Sequence, residues 1–222
     1  MAPKRGMPGT MRAYIQPLVW TFLLDHGIDR LPVDIWQIPQ RNNWLLYTYR
    51  DFAKTAHPSF WEKIDGSVPG FVFWSGRSRT YVICYDDTIP IDYQRWVIAH
   101  EIAHIVCGHL RRHTMHTYSG STLLEAEAEG FTRRVLCPSI VLHDCQLLEP
   151  EEIQRVCGIP PDKAARKSKH IKEIELLNLY HIHPLEDAVE KQFTSFIANY
   201  NLYKMRYMQK KTALVLQHQD GL

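Results

Sequence analysis

Residues 100 to 104 read His100-Glu101-Ile102-Ala103-His104. On a helix, histidines four apart project from one face, so both imidazoles reach a single zinc ion while Glu101 addresses the water beside it. That is the donor pattern of metal-assisted peptide hydrolysis, with Glu101 as the general base. The helix it needs is present in the pattern: Trp96, Val97, Ile98 and Ala99 lead in, Ile102, Ala103, Ile105 and Val106 continue, and no breaker intervenes before Gly108. The other use of the same spacing is a buried helix with two hydrogen-bonded core histidines.

Two histidines leave zinc short of protein ligands, because a catalytic site takes three and keeps one position open. The metzincin pattern would supply a glycine three places and a histidine six places after His104, where this chain has Cys107 and Leu110. His109 falls at another offset and reads as a helix-end or loop histidine. The following segment is the better source: Glu125, Glu127 and Glu129 alternate with Ala126, Ala128 and Gly130. Glu125 and Glu129 share a helix face, and Glu127 points elsewhere. Acids at a helix start are favoured by about 0.3–1 kcal/mol, which accounts for one or two of them. The small residues between them predict a close helix–helix approach at a shared metal. In the intervening loop, His113, His116 and Tyr118 have the chemistry to donate to an oxyanion.

The elements that must position these groups follow from periodicity. Residues 11–25 carry an apolar helical pattern (Ile15, Leu18, Val19, Phe22, Leu23), with Pro17 marking a kink or the true start. Residues 43–49, 70–74 and 80–85 are rich in aromatic and β-branched types and read as strands; the Gly- and Ser-bearing stretch 75–79 predicts an antiparallel hairpin from the last two. The motif helix is expected over 92–108 with Asp92 as N-cap. Further helices are expected over 123–136, stopped by Pro138, over 149–156 and 161–177 around Gly158-Ile159-Pro160, and over 184–200.

At 222 residues, 45 % hydrophobic and 23 % charged, the chain holds a sizeable core and has the composition of a soluble globular protein. A net charge of only +2 demands neither nucleic acid nor an anionic membrane as partner. Five cysteines without a Cys-x-x-Cys pair argue against a disulfide framework and a thiolate zinc site, and fit a reducing cytoplasm. The apolar run 18–24 is short and ends in Asp25-His26-Gly27, so neither a secretory leader nor a bilayer span is expected.

His100-Glu101-Ile102-Ala103-His104, then Glu125, Ala128 and Phe131 at three-residue steps, then Leu136-Cys137-Pro138, resemble the ImmA/IrrE family of zinc-dependent metallopeptidases. Leu31-Pro32-Val33-Asp34-Ile35 is similar to that family's N-terminal entry, Arg95 also fits, and the likeness covers roughly residues 28–175. The resemblance implies metal ligation by His100, His104 and Glu125, with zinc as the ion and manganese as the alternative, and Glu101 as catalytic base. Glu129 takes a place usually held by Asn or Asp beside the ligands and, as a longer carboxylate, is the alternative third ligand to Glu125; Thr132 and Cys137 also depart from the pattern.

It further implies cytoplasmic, site-specific cleavage of a helix-turn-helix repressor of a prophage or mobile element; the runner-up is a catalytically weak zinc-bearing regulator that binds a partner protein or DNA. The expected fold is α+β, a zincin-like metallopeptidase domain with a small, mainly antiparallel sheet, two metal-site helices and a helical C-terminal region. The expected division is a flexible arm (1–10), the metallopeptidase domain (11–145), a helical region with a helix-turn-helix-like segment (146–208) and a tail (209–222). Lys163, Arg166, Lys167, Lys169 and Lys172 in that segment read more readily as a solvated basic face than as a DNA contact. The edge of the hairpin could also receive an extended peptide as an added strand.

Overall fold

The computed structural model describes residues 8–56, 68–110, 115–116 and 122–219. The fold is mixed α+β and mostly helical, with one small sheet. Helix α1 (Pro8–Asp25) continues through Pro17. The proline removes one backbone hydrogen bond from the helix interior, a cost of about 3 kcal/mol. Burial of Ile15, Val19, Trp20, Phe22 and Leu23 on one face offsets it, so Pro17 does not mark the start.

A short helix α2 (Gln37–Arg41) leads into β1 (Leu45–Thr48), and α3 (Tyr49–Ala53) follows. The hairpin forms as expected: β2 (Gly70–Ser75) pairs antiparallel with β3 (Thr80–Tyr85), in a register that sets Phe71 opposite Cys84 and Trp74 opposite Tyr81. Helix α4 (Ile91–Val106) carries the histidine motif. The two-residue strand β4 (Met115–His116) and helix α5 (Thr122–Leu136) follow. Then come α6 (Ser139–Asp144), α7 (Pro150–Cys157), α8 (Pro161–Leu177) and α9 (Pro184–Gln219).

The sheet order is β1-β3-β2-β4, with β1 parallel to β3 and the other two pairings antiparallel. Neither long edge of the hairpin is therefore simply open: β1 lines β3, and β4 covers β2 at Val72 and Phe73. Strand alternation gives the sheet two faces. Val72 and Ile83 join the main core with α1, α4, α5 and the later helices. Phe71, Val82 and Cys84 pack with Phe52 and Val68 on the other face.

Several local expectations change. Asp92 does not cap α4, because Pro90 holds that position; Asp92 sits in the first turn, where its Oδ1 accepts from the Tyr93 amide at 3.0 Å. Helix α9 extends well past Tyr200. Its buried face ends near there, after Val189 and Phe193, while Leu202, Tyr203, Met205, Tyr207 and Met208 are exposed. The packing period stops, but the Leu, Met, Lys and Gln content keeps favouring helix. Helices α2, α3 and α6 have six residues or fewer, too few for a periodicity to show. The expected arm falls partly on residues 1–7, which lie outside the described residues, as do His113, Tyr118 and the last three residues of the tail. No helix among the described residues is long and apolar enough to cross a membrane.

Arg95 ties the N-terminal entry to the site helix. Its guanidinium donates to the Val33 carbonyl and lies over the Trp36 ring at 4.8 Å. Over the segment expected to be helix-turn-helix-like, α7 and α8 are joined through Gly158, Ile159 and Pro160, with Gly158 in the left-handed region at φ 62°.

Candidate metal centre

Helix α4 buries His100 and His104 on the face turned toward α5, and α5 delivers Glu125 from its first turn. Nε2 of His100 stands 3.2 Å from Nε2 of His104 and 3.1 Å from Oε2 of Glu125, and His104 Nε2 stands 3.6 Å from Glu125 Oε1. Donor atoms held at ~2.0–2.1 Å from zinc on a tetrahedron lie ~3.3 Å apart. The His–His spacing is close to such a tetrahedral edge, and each histidine nitrogen faces one of the two Glu125 oxygens at a comparable distance, so the donor set fits a single cation. The histidine side chains are 6 % and 2 % exposed while Glu125 retains 24 %, so solvent reaches the centre from the Glu125 side.

The electrostatics also call for positive charge. Burial alone would raise Glu125, but the hydrogen bond with His100 and the closeness of both imidazoles hold its carboxyl well below the usual carboxylate range. Burial opposes the His100 imidazolium, yet Glu125, Glu101 and Glu129 together lift its pKa above the ordinary value. His104 is lowered, by burial and by the neighbouring His100 charge. The shifts of Glu125 and His100 both favour positive charge between the two imidazoles and the carboxylate.

Glu101 is 2 % exposed, and its Oε1 has no hydrogen-bond partner among the described residues. Burial pushes its carboxyl up to about 7; His100 acts to lower it and Glu125 to raise it. A dication beside it would favour the ionised form, leaving a buried carboxylate with an open lone pair.

The acids of α5 divide in a way their spacing did not reveal. Glu129, expected beside the ligands, ion-pairs with Lys163 of α8 at 3.0 Å, and that ammonium also covers the Trp96 ring at 4.8 Å. Glu127 does point away from Glu125, but it is buried rather than solvated: its Oε2 lies 3.0 Å from His109 Nε2. His109 in turn places Nδ1 3.0 Å from Nδ1 of His104. The small-residue argument holds only for Ala128, which is fully buried; Ala126 is exposed, and a side chain at Gly130 would meet Arg134 of its own helix. His116 lies on β4, and its side chain is outside the described residues, so none of the three loop candidates enters the described site.

Sequence reasoning missed His109 although a signal was available. Gly108, at φ 71°, reverses the chain: its amide donates to the Ile105 carbonyl at 3.0 Å, and the His109 amide donates to the His104 carbonyl at 3.0 Å. This is a Schellman cap, in which the second residue past the helix cap packs on the residue five before it. Glycine four places and histidine five places after His104 announce that contact.

Of the five basic residues expected on one face of α8, three are engaged within the fold. Lys163 pairs with Glu129, Lys167 is fully buried with Nζ donating to Ser139 Oγ at 2.8 Å, and Lys172 pairs with Glu149 at 3.0 Å. All five cysteines are buried thiols.

Residues 63–172 match the family model of a group of peptidases described as the IrrE N-terminal-like domain. That span takes in the motif helix, the acids of α5 and most of the α7–α8 pair. The comparison with curated proteins returned no match.

Proposed function

Because this chain belongs, through residues 63–172, to the ImmA/IrrE family of metallopeptidases, we propose that it is a zinc-dependent endopeptidase with a zincin-like site. The observation that carries this reading is the convergence of His100, His104 and Glu125 donor atoms on one place beside the buried Glu101 carboxyl. Zinc, or manganese in its place, would supply a Lewis acid that makes water nucleophilic near neutral pH and polarises the scissile carbonyl.

The chain's own groups perform the rest. His100, His104 and Glu125 would hold and orient the metal. Glu101 Oε1 accepts a proton from the attacking water and returns it to the departing amine, a task its open lone pair and water-poor surroundings suit. The partly exposed Glu125 side gives an extended peptide its way in.

The proposed substrate is a helix-turn-helix repressor, supported by the family likeness. A DNA contact through α7 and α8 is the weaker part of the proposal, supported by their helix–turn–helix arrangement and opposed by the internal pairing of Lys163, Lys167 and Lys172. The test is to incubate the purified zinc-loaded protein with helix-turn-helix repressors of mobile elements from its own source genome. Cleavage is expected with the wild type and a loss of at least ~100-fold with Glu101→Gln, metal content and melting temperature being unchanged. Repressor inactivation that survives Glu101→Gln would make the protein a binding regulator instead.

A further inference from the structure

The line of contacts behind His104 runs away from the substrate side into the core. His104 Nδ1 meets His109 Nδ1 at 3.0 Å, and His109 Nε2 meets Glu127 Oε2 at 3.0 Å. The side chains of His109 and Glu127 are 0 % and 3 % exposed, so water does not substitute for either partner. The His104 and His109 rings stand edge to face at 71°.

We propose that His109 and Glu127 are positioning residues that fix the tautomer of His104. The argument rests on the reading of His104 as a metal ligand and concerns which nitrogen is left to bind. A carboxylate accepts but cannot donate, so Glu127 holds the His109 proton on Nε2. His109 Nδ1 then presents a lone pair, and the hydrogen bond across the 3.0 Å gap must come from His104 Nδ1–H. With its proton on Nδ1, His104 offers the Nε2 lone pair to the centre where His100 Nε2 and Glu125 lie. Without Glu127, His109 is free to carry its proton on Nδ1. That N–H would claim the Nδ1 lone pair of His104 and move the His104 proton onto Nε2, where it blocks the metal.

The backbone supports the same arrangement. The Schellman cap at Gly108 brings His109 onto His104 and so installs an imidazole where such caps usually place an apolar contact. Partners of metal-bound histidines that fix ring orientation and tautomer typically contribute ~10–100-fold in metal affinity.

The test measures zinc affinity by competition with a chromophoric chelator for the wild type, Glu127→Leu, Glu127→Gln and His109→Phe, with far-UV circular dichroism to confirm folding. Weakening by ~10–100-fold is expected for Glu127→Leu and His109→Phe. Glu127→Gln, whose amide oxygen still accepts from His109 Nε2–H, should stay within a few-fold of wild type. A purely structural role predicts no such rescue linked to acceptor chemistry. Nitrogen-15 long-range NMR on the wild type gives a readout that needs no variant: protons are expected on His104 Nδ1 and His109 Nε2.

A His109 proton found on Nδ1, or Leu and Phe variants that bind zinc as tightly as wild type, would overturn the proposal. Failure of the metal reading is separately visible, since the wild type would then take up no zinc in the same titration, and both ideas would fall together.

Discussion

Two regions of this molecule bury polar groups, and they do so to opposite effect. Between α4 and α5, the side chains of His100, Glu101, His104, His109 and Glu127 are nearly inaccessible, and their acceptors converge on places where positive charge or a proton is wanted. Between α6 and α8, Lys167 is also fully buried, but it brings its own charge into a surround of Cys137, Cys157, Arg133 and Arg134 and donates to Ser139 Oγ. An ammonium has three donors, and a hydroxyl neighbour does not neutralise it. Burial therefore pulls the Lys167 pKa down to about 8. The first region is a cluster of bases that gains by receiving a cation; the second is a cation that the fold would be more stable without. Buried polarity marks a site only where several groups aim at a common point reachable from solvent, as the 24 % exposure of Glu125 allows.

The largest effect that sharpens this contrast is on metal content. Glu125→Ala removes one corner of the donor set and should reduce zinc from about one ion per chain to less than about a tenth after dialysis, as measured by elemental analysis. Glu129→Ala should leave zinc in place, because Glu129 is committed to Lys163, and cost about 1 kcal/mol of stability for a partly exposed pair. If Glu129→Ala alone loses the metal, the division of the α5 acids drawn above is wrong.

The second effect belongs to Lys167 and has a sign set by linkage. Its folded pKa of about 8 lies below the ordinary value of 10.5. Below pH 8 both folded and unfolded chains carry the proton, and the full burial penalty, on the order of 3 kcal/mol, is present. From pH 8 to 10.5 the unfolded chain binds more protons than the folded one, so this residue's contribution to stability rises with pH and then levels off. Lys167→Met, similar in length and uncharged, should therefore stabilise the protein at pH 7, with a gain that shrinks as pH approaches 10.5. Chemical denaturation at pH 7 and pH 9.5 checks it, and destabilisation at pH 7 would show that the Ser139 hydrogen bond outweighs desolvation.

These regions also explain which features can be read from the chain alone. His100, Glu101 and His104 are legible because their geometry is internal to one helix, and Glu125 is reachable because it stands in the first turn of the next helix among alternating acids and small residues. The β2–β3 pairing is legible from alternation and a turn. Lys167 was not, because a lysine in a run of basic residues has the local signature of a solvated face; only the packing of α8 on α6 reveals that one turn points inward. Glu127 was hidden for a related reason. Its direction relative to Glu125 follows from helix geometry, but whether that direction is solvent or core depends on where the cap of α4 deposits His109. Propensity and periodicity describe elements one at a time, whereas these contacts belong to pairs of them.

The smallest effect compares the two left-handed glycines that end α4 and α7. Gly108 at φ 71° has no atom within 4 Å of an added Cβ among the described residues, so Gly108→Ala bears only the backbone penalty, about 1 kcal/mol. Gly158 at φ 62° has the same backbone demand, but its Cβ would meet Arg95 Nε at 3.0 Å and Pro32 Cβ at 3.4 Å. Arg95 is not free to step aside without loosening its bond to the Val33 carbonyl and its place over Trp36. Gly158→Ala should therefore cost more, about 2 kcal/mol, as a shift in the urea midpoint at constant slope. The two substitutions should also separate by function. Gly108→Ala, though milder for stability, strains the turn that carries His109 and should lower zinc affinity, whereas Gly158→Ala should leave it alone. Equal midpoints would show that Arg95 yields without cost, and zinc loss confined to Gly158→Ala would reverse the assignment of the α4 cap as the turn that matters to the metal.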